Sequence, residues 1–142
     1  MIILDTNVVS EVLRPKPSPS VHRWLSEQDD LGLTSVTIGE LAYGIERLPA
    51  GRRRQLLDDE LQSLVANFGA AIAPYDTAAA IAFGRLQAVR RAAGRPTSTE
   101  DAMIGAICLT GGHVLATRNT KDFEGMGVHL VNPWDTTDDE SR

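Results

Sequence analysis

Hydrophobic residues open the chain as an unbroken block over residues 1–4, closed by Asp5. A short apolar run without alternation suits a strand buried on both faces of a parallel sheet. From Asn7 the period changes: Val8, Val9, Val12 and Leu13 fall at helical spacing, and Pro15 ends the pattern. A turn-rich loop spans 15–19, where Ser18 or Ser20 can cap a second helix that turns Val21, Trp24 and Leu25 inward. Residues 31–35 predict a second strand. Thr37 starts a third helix, with Ile38, Leu41, Ala42, Ile45 and Leu48 on one stripe and Pro49 as its stop. An arginine-headed helix follows over 51–68, its inward stripe being Leu56, Leu57, Leu61, Leu64, Val65 and Phe68. Residues 70–73 predict a third strand. Asp76 caps a helix through 93, stopped by Gly94 and Pro96, and Ser98 caps another to about 110, ended by Gly111 and Gly112. Residues 113–116 and 128–131 predict two more strands, with a loop at 117–123 between them.

Strands that alternate with helices along the whole chain predict a three-layer α/β/α fold around a central, mainly parallel sheet of about five strands. The 142 residues suit one domain, assigned to 1–134, with an acidic tail at 135–142 expected to be disordered. The lone Cys108 cannot form an internal disulfide, and zinc sites built from four cysteines or from paired cysteines and histidines are excluded by count. A reducing cytoplasm fits such usage. No apolar run approaches the ~20 residues of a membrane span, and Asp5 interrupts the first block before a signal-peptide core forms. The net charge of −5 is a poor footprint for a protein held on nucleic-acid backbones. The tail weakens that objection: Asp135, Asp138, Asp139 and Glu140 against Arg142 give it −3, leaving −2 for the rest. Twelve of the 14 basic residues are arginine, including Arg52–Arg54 and the cluster Arg85, Arg90, Arg91 and Arg95. Arginine suits bidentate phosphate contacts, although a solvated helix face explains such clusters equally well.

In a parallel sheet, ligands collect at the carboxyl ends of the strands. The chain sends acids to that edge: Asp5 after the first strand, Glu40 after the second, Asp101 early in a helix, and Asp122 with Asn119 after the fourth strand. Carboxylates packed together repel one another and are stable mainly when they share a cation, and oxygen-only ligands favour Mg²⁺ or Mn²⁺. Such a metal activates water and neutralises phosphate oxygens, which describes metal-dependent phosphodiester hydrolysis. Each acid also has a plainer reading. Thr37-x-x-Glu40 and Ser98-x-x-Asp101 both match a capping box, in which the acid bonds the cap residue's backbone N–H. Asp122 alone is no more than a surface loop residue, so the inference rests on convergence.

The segments Ile2-Ile3-Leu4-Asp5-Thr6-Asn7-Val8-Val9-Ser10-Glu11, Ser35 to Ile45, Ser98 to Ala106, Leu115 to Phe123 and Val131-Asn132-Pro133-Trp134 occur in an order and spacing that resembles the PIN-domain family. The resemblance covers nearly the whole chain and is narrowest with the VapC-type and FitB-like toxins of bacterial type II toxin–antitoxin modules. It implies a ribonuclease that cleaves RNA with metal-activated water, leaving a 5′-phosphate and a 3′-hydroxyl. It implies Asp5, Glu40 and Asp101 as metal-site carboxylates, with Mg²⁺ or Mn²⁺ held mainly through Asp5 and Asp101 and Glu40 positioning the water or a second metal. Many relatives carry an acid where this chain has Asn119, whereas Asp122 falls in the Thr-Lys-Asp-Phe version of the motif and is favoured as the fourth acid. Thr6 and Thr117 would orient carboxylates or water, or serve as local caps. Arg118 flanks the site as a candidate phosphate contact, and Arg52–Arg54 as an extension of the RNA track. The expected partners are a cognate VapB/FitA-like antitoxin that inserts an arginine among the carboxylates, and a second copy of the chain. Interface candidates for that homodimer are the helices at 78–89 and 8–13.

Cys108, among Ile104, Ile107 and Leu109, reads as a buried inert thiol. His22, His113 and His129 lack ligand spacing, and Trp24, Trp134, Tyr43 and Tyr75 are scattered as packing residues rather than a stacking platform. Two rival functions remain. An acidic α/β phosphatase would use Asp5 as a nucleophile, but Asn7 stands where that class carries a second Asp. A non-catalytic binding module would use the acids only to hold a basic partner; metal-dependent turnover separates the two.

Overall fold

The computed structural model describes residues 1–135, so the tail expectation beyond Asp135 lies outside the described residues. Five strands, β1 (Ile2–Leu4), β2 (Leu31–Thr34), β3 (Ile72–Ala73), β4 (Val114–Ala116) and β5 (Leu130–Val131), form one parallel sheet in the order β3-β2-β1-β4-β5. Six helices connect them: α1 (Thr6–Val12), α2 (Pro19–Ser26), α3 (Ser35–Glu46), α4 (Arg52–Phe68), α5 (Thr77–Ala92) and α6 (Thr99–Gly111).

The pleat sends consecutive strand residues to opposite faces. Ile3 and Leu115, paired in register, join Ala79, Leu86, Ile104, Ile107, Phe123 and Met126 in a core under α5 and α6. Leu4 and Ala116, one residue on, join Leu33, Val8, Val21, Trp24, Leu41, Ile45 and Leu61 in a second core under α1–α4. Two apolar faces explain why the strands lack alternation and why the sheet is the middle of three layers. Cys108 is fully buried, and desolvation pushes its thiol up to about 12, as an inert thiol requires.

Several local expectations need correction. α3 begins at Ser35, because Thr34 at the end of β2 stays extended and its hydroxyl accepts the Thr37 N–H at 3.1 Å. Thr37 is therefore capped rather than capping, and Glu40 lies too far into the helix to complete a box. On α4 only Leu61 is buried; Leu56 and Val65 face outward, because the helix meets the rest of the fold along a narrow seam instead of a broad stripe. Residues 69–71 form a 3-10 turn, so β3 keeps only two residues of the predicted strand. Tyr43 is 66% exposed and is not a packing residue; the Arg47 guanidinium lies 5.6 Å from its ring centroid. Arg90 does not belong to a solvated face: it is buried and donates to the backbone carbonyls of Asp122 and Glu124. Asp76 caps α5 and Ser98 caps α6, as the pattern predicts.

Gly32 shows how closely β2 fits its neighbours. A Cβ there would lie 2.9 Å from the Ala71 carbonyl oxygen, 3.0 Å from the Met1 sulfur and 3.1 Å from Ile3 Cδ1. The carbonyl belongs to backbone beside β3 and cannot swing away as a side chain can. Gly32→Ala should therefore cost about 1–3 kcal/mol of stability, read as an earlier urea midpoint with an unchanged slope.

Candidate active site

The strand order reverses direction between β1 and β4, the switch point at which open parallel sheets leave a crevice at their carboxyl ends. The ladder runs one residue past both strands there. Asp5 N–H donates to the Ala116 carbonyl at 2.9 Å, and Thr117 N–H to the Val131 carbonyl at 2.9 Å. These bonds set Asp5 and Thr117 side by side at the floor of a cleft of about 550 Å³, lined by Asp5, Thr6, Asn7, Ser10, Glu11, Arg14, Glu40, Asp101 and Asn119.

Asp5 is 4% exposed and uses both carboxylate oxygens. Oδ1 accepts the Thr6 N–H at 2.8 Å, which caps α1; Oδ2 accepts the Thr117 hydroxyl at 2.7 Å and the Asn7 side-chain amide at 3.2 Å. The Thr117 hydroxyl in turn accepts the Asn119 N–H at 3.1 Å. Glu40 reaches the cleft from α3, where its Oε1 accepts the Thr6 hydroxyl at 2.7 Å. Asp101 sits in the first turn of α6. Its N–H donates to Ser98 Oγ at 3.1 Å, and the Ser98 side chain is the one hydrogen-bonding group that lowers the pKa of its carboxyl. Neither capping box is closed by its acid.

The electrostatics agree. Burial is the largest cause raising all three pKa values, and every charge that adds to the rise is another acid. Burial and the neighbouring Asp5 push Asp101 to about 6. Hydrogen bonds from Thr117, Thr6 and Asn7 oppose the rise at Asp5 without cancelling it. Among the described residues, no three acidic, histidine or cysteine side chains are grouped closely enough to hold a metal ion by themselves. An open, oxygen-only set of mutually repelling carboxylates fits a hard divalent cation that keeps several of its waters.

Asn119 lines the cleft, whereas Asp122 stands outside its lining with its side chain exposed. The Asp122 charge nevertheless reaches both Asp5 and Asp101. Its backbone carbonyl is held by Arg90 and by Thr97, the latter at 3.3 Å. The Arg118 guanidinium lies 5.0 Å from the Trp134 ring centroid, and its N–H donates to Asn7 Oδ1 at 3.2 Å. Arg52–Arg54 are outside the cleft; Arg52 and Arg53 line a second groove, and Arg54 pairs with Glu46. Sequence reasoning missed Asn7, Ser10, Glu11 and Arg14. Their signal was present: they recur at i, i+3, i+4 and i+7, the polar complement of the Val8, Val9 and Val12 stripe.

The family model for the PIN domain matches residues 2–127. The chain is 39% identical to the plasmid stability protein StbB of Pseudomonas syringae pv. tomato, over 95% of this chain and 99% of that one. It is 33% identical to the VapC ribonuclease Y4jK of Sinorhizobium fredii, over 95% and 99%. It is 34% identical to toxin FitB of Neisseria gonorrhoeae, over 94% and 99%. The crystal structure of FitAcB from Neisseria gonorrhoeae superposes with a TM-score of 0.89 at 33% identity, covering 95% of this chain and 99% of that one.

The raised acids fix the sign of a pH effect. The folded state holds the Asp101 proton up to about 6, whereas the unfolded chain releases it near 3.8. The resulting stability is complete below the unfolded value and is lost as pH rises through the folded one; Asp5 and Glu40 act in the same direction. In chelator, the melting temperature should fall as pH rises from about 4 to about 7. Asp101→Asn should flatten that decline and melt about 2–5 °C higher at neutral pH, as measured by calorimetry.

Proposed function

The chain belongs to the PIN-domain family, and we propose that it is the ribonuclease toxin of a toxin–antitoxin module, hydrolysing RNA phosphodiester bonds with Mg²⁺ or Mn²⁺ at the cleft. The convergence of Asp5, Glu40 and Asp101 on one water-accessible crevice carries this reading, and the names of the relatives, a ribonuclease and a toxin, support it.

Asp5 and Asp101 would hold the cation, with Glu40 and Asn119 as further oxygen donors and Asp122 adding its charge from outside the cleft lining. When bound, the cation would supply the Lewis-acid charge that acidifies water and offsets negative charge on a phosphate. The chain's own groups do the rest. Thr117 and Asn7 donate to one oxygen of Asp5 and the Thr6 N–H to the other, so the carboxylate keeps one orientation. Thr6 spends its hydroxyl proton on Glu40, fixing that carboxylate where it can orient the attacking water or accept its proton. The Asn119 side chain, on the cleft wall, orients water or phosphate without adding to the acid repulsion.

The restraining partner is a cognate VapB/FitA-like antitoxin, for which an acidic cleft accommodates a basic side chain. A homodimer through α5 is supported by Ile81 and Val89, 54% and 58% exposed, eight residues apart and so close to one face of that helix. Among the described residues no helix is long and apolar enough to cross a membrane, and the proposed site of action is the cytoplasm.

Cleavage of end-labelled structured RNA tests the reading. Asp5→Ala and Asp101→Ala should each lower metal-dependent cleavage by more than about a hundredfold while the fold persists. Glu40→Gln should lower kcat more than metal affinity. Full activity in folded Asp5→Ala or Asp101→Ala overturns the assignment.

A further inference from the structure

The lining of the acidic cleft also carries one cation. Among the cleft-lining residues Arg14 is the only basic side chain, set among Asp5, Glu11, Glu40 and Asp101. An unrestrained arginine in such surroundings would collapse onto a carboxylate of the metal site. Arg14 does not: it forms no ion pair with Asp5, Glu40 or Asp101 among the described residues, and the charges that shift these three are all acidic.

Glu11 explains why. Glu11 is only 8% exposed; its Oε2 accepts Arg14 Nη1 at 3.1 Å and its Oε1 accepts the Ser18 N–H at 3.0 Å. The buried carboxylate thus ties the end of α1 to the start of α2 and holds the guanidinium at the cleft mouth. The Arg14 side chain remains 65% exposed, leaving donors free for a second anion.

Arg14 also lines a second groove, of about 600 Å³, whose α4 residues include Arg52 and Arg53. Neither of these two arginines has an ion-pair partner among the described residues. Three arginines against the single acid Glu60 therefore line one groove that shares Arg14 with the acidic cleft, whereas Arg54 is neutralised by Glu46.

We propose that Arg14, Arg53 and Arg52 form a phosphate track that takes the backbone of the RNA strand on one side of the scissile bond, and that Glu11 is the positioning residue that keeps Arg14 on it. The inference rests on the ribonuclease reading and adds to it where the substrate lies. Charge complementarity selects the occupant: the guanidinium forks match phosphate oxygens, and the acids next to them repel the same backbone except at the cation. The apolar walls from Val12, Leu13 and Leu56 leave room for unstacked bases beside the track.

The experiment uses fluorescent single-stranded RNA and the full chain. In an Asp5→Asn background, which does not cleave, binding is followed against salt concentration. Each lost phosphate contact makes the slope of log K against log salt shallower by ~0.7. Arg14→Ala and Arg52→Ala with Arg53→Ala should show that change, Arg14→Lys should retain the slope, and Arg91→Ala on α5 should leave it untouched. In the active protein, Arg14→Ala should raise KM for RNA roughly tenfold with kcat changed far less. Glu11→Gln should raise KM and make the slope shallower as Arg14→Ala does, yet add nothing further in an Arg14→Ala background, a non-additivity that loss of stability alone would not give. Unchanged slopes and KM in an active protein overturn the track alone. Arginine variants that keep RNA binding but escape inhibition by an acidic partner helix overturn it too, and give the groove to a protein. A wild type that neither binds nor cleaves RNA overturns the ribonuclease reading and the track with it.

Discussion

The site depends on keeping a carboxylate buried at the switch point of the sheet. An unpaired carboxylate in that position would be far too costly, and Asp5 is tolerated because three donors from three directions meet it. Two of the donors, the Thr6 N–H and the Asn7 amide, come from the first turn of α1, and the third, the Thr117 hydroxyl, from the residue after β4. Satisfying Asp5 thus joins β1, α1 and β4 at one point. The all-parallel order β3-β2-β1-β4-β5 brings these elements together without a long loop. Thr117 is the hub, fully buried, donating to Asp5 and accepting from Asn119.

Hydrogen bonding satisfies only Asp5. Glu40 has the Thr6 hydroxyl and Asp101 the Ser98 side chain, one hydrogen-bonding group each against the three donors of Asp5. Fold stability and site chemistry therefore pull in opposite directions. The backbone bonds that hold the crevice open also hold like charges together, and the strain appears as three acids whose protons are retained above their ordinary values. Such a site stores affinity for a cation and has no use for one more acid. An asparagine at position 119 fits that limit, since Asp122 already adds its charge from outside the cleft lining.

The fold was legible because its signals are local and redundant. Apolar blocks at 1–4 and 113–116, Asp76 and Ser98 as caps, and Gly112 with a left-handed φ of 67° after α6 each act within a few residues. The acids were legible because strand ends in a parallel sheet share an edge. What the sequence concealed depends on tertiary choice. Thr34 and Thr37 can both cap a helix, and only the end of β2 decides between them. Leu56 and Val65 match a helical stripe, yet α4 has no second surface to cover them. Arg90 resembles a surface arginine until the loop before Glu124 folds over it. Glu11 and Arg14 fall on the polar stripe of a short helix, and only the folded chain decides that the cleft opens beside that stripe.

The central claim is that Asp5, Asp101 and Glu40 share one divalent cation. Calorimetric titration of the chelator-stripped protein with Mn²⁺ tests it most directly, run near pH 6 and again well above it in buffers of different ionisation enthalpy. Binding is expected at both, with proton release near pH 6 that vanishes at the higher pH, because Asp101 with a pKa of about 6 must give up its proton to ligate. Absence of binding, or binding with no proton release near pH 6, would contradict it.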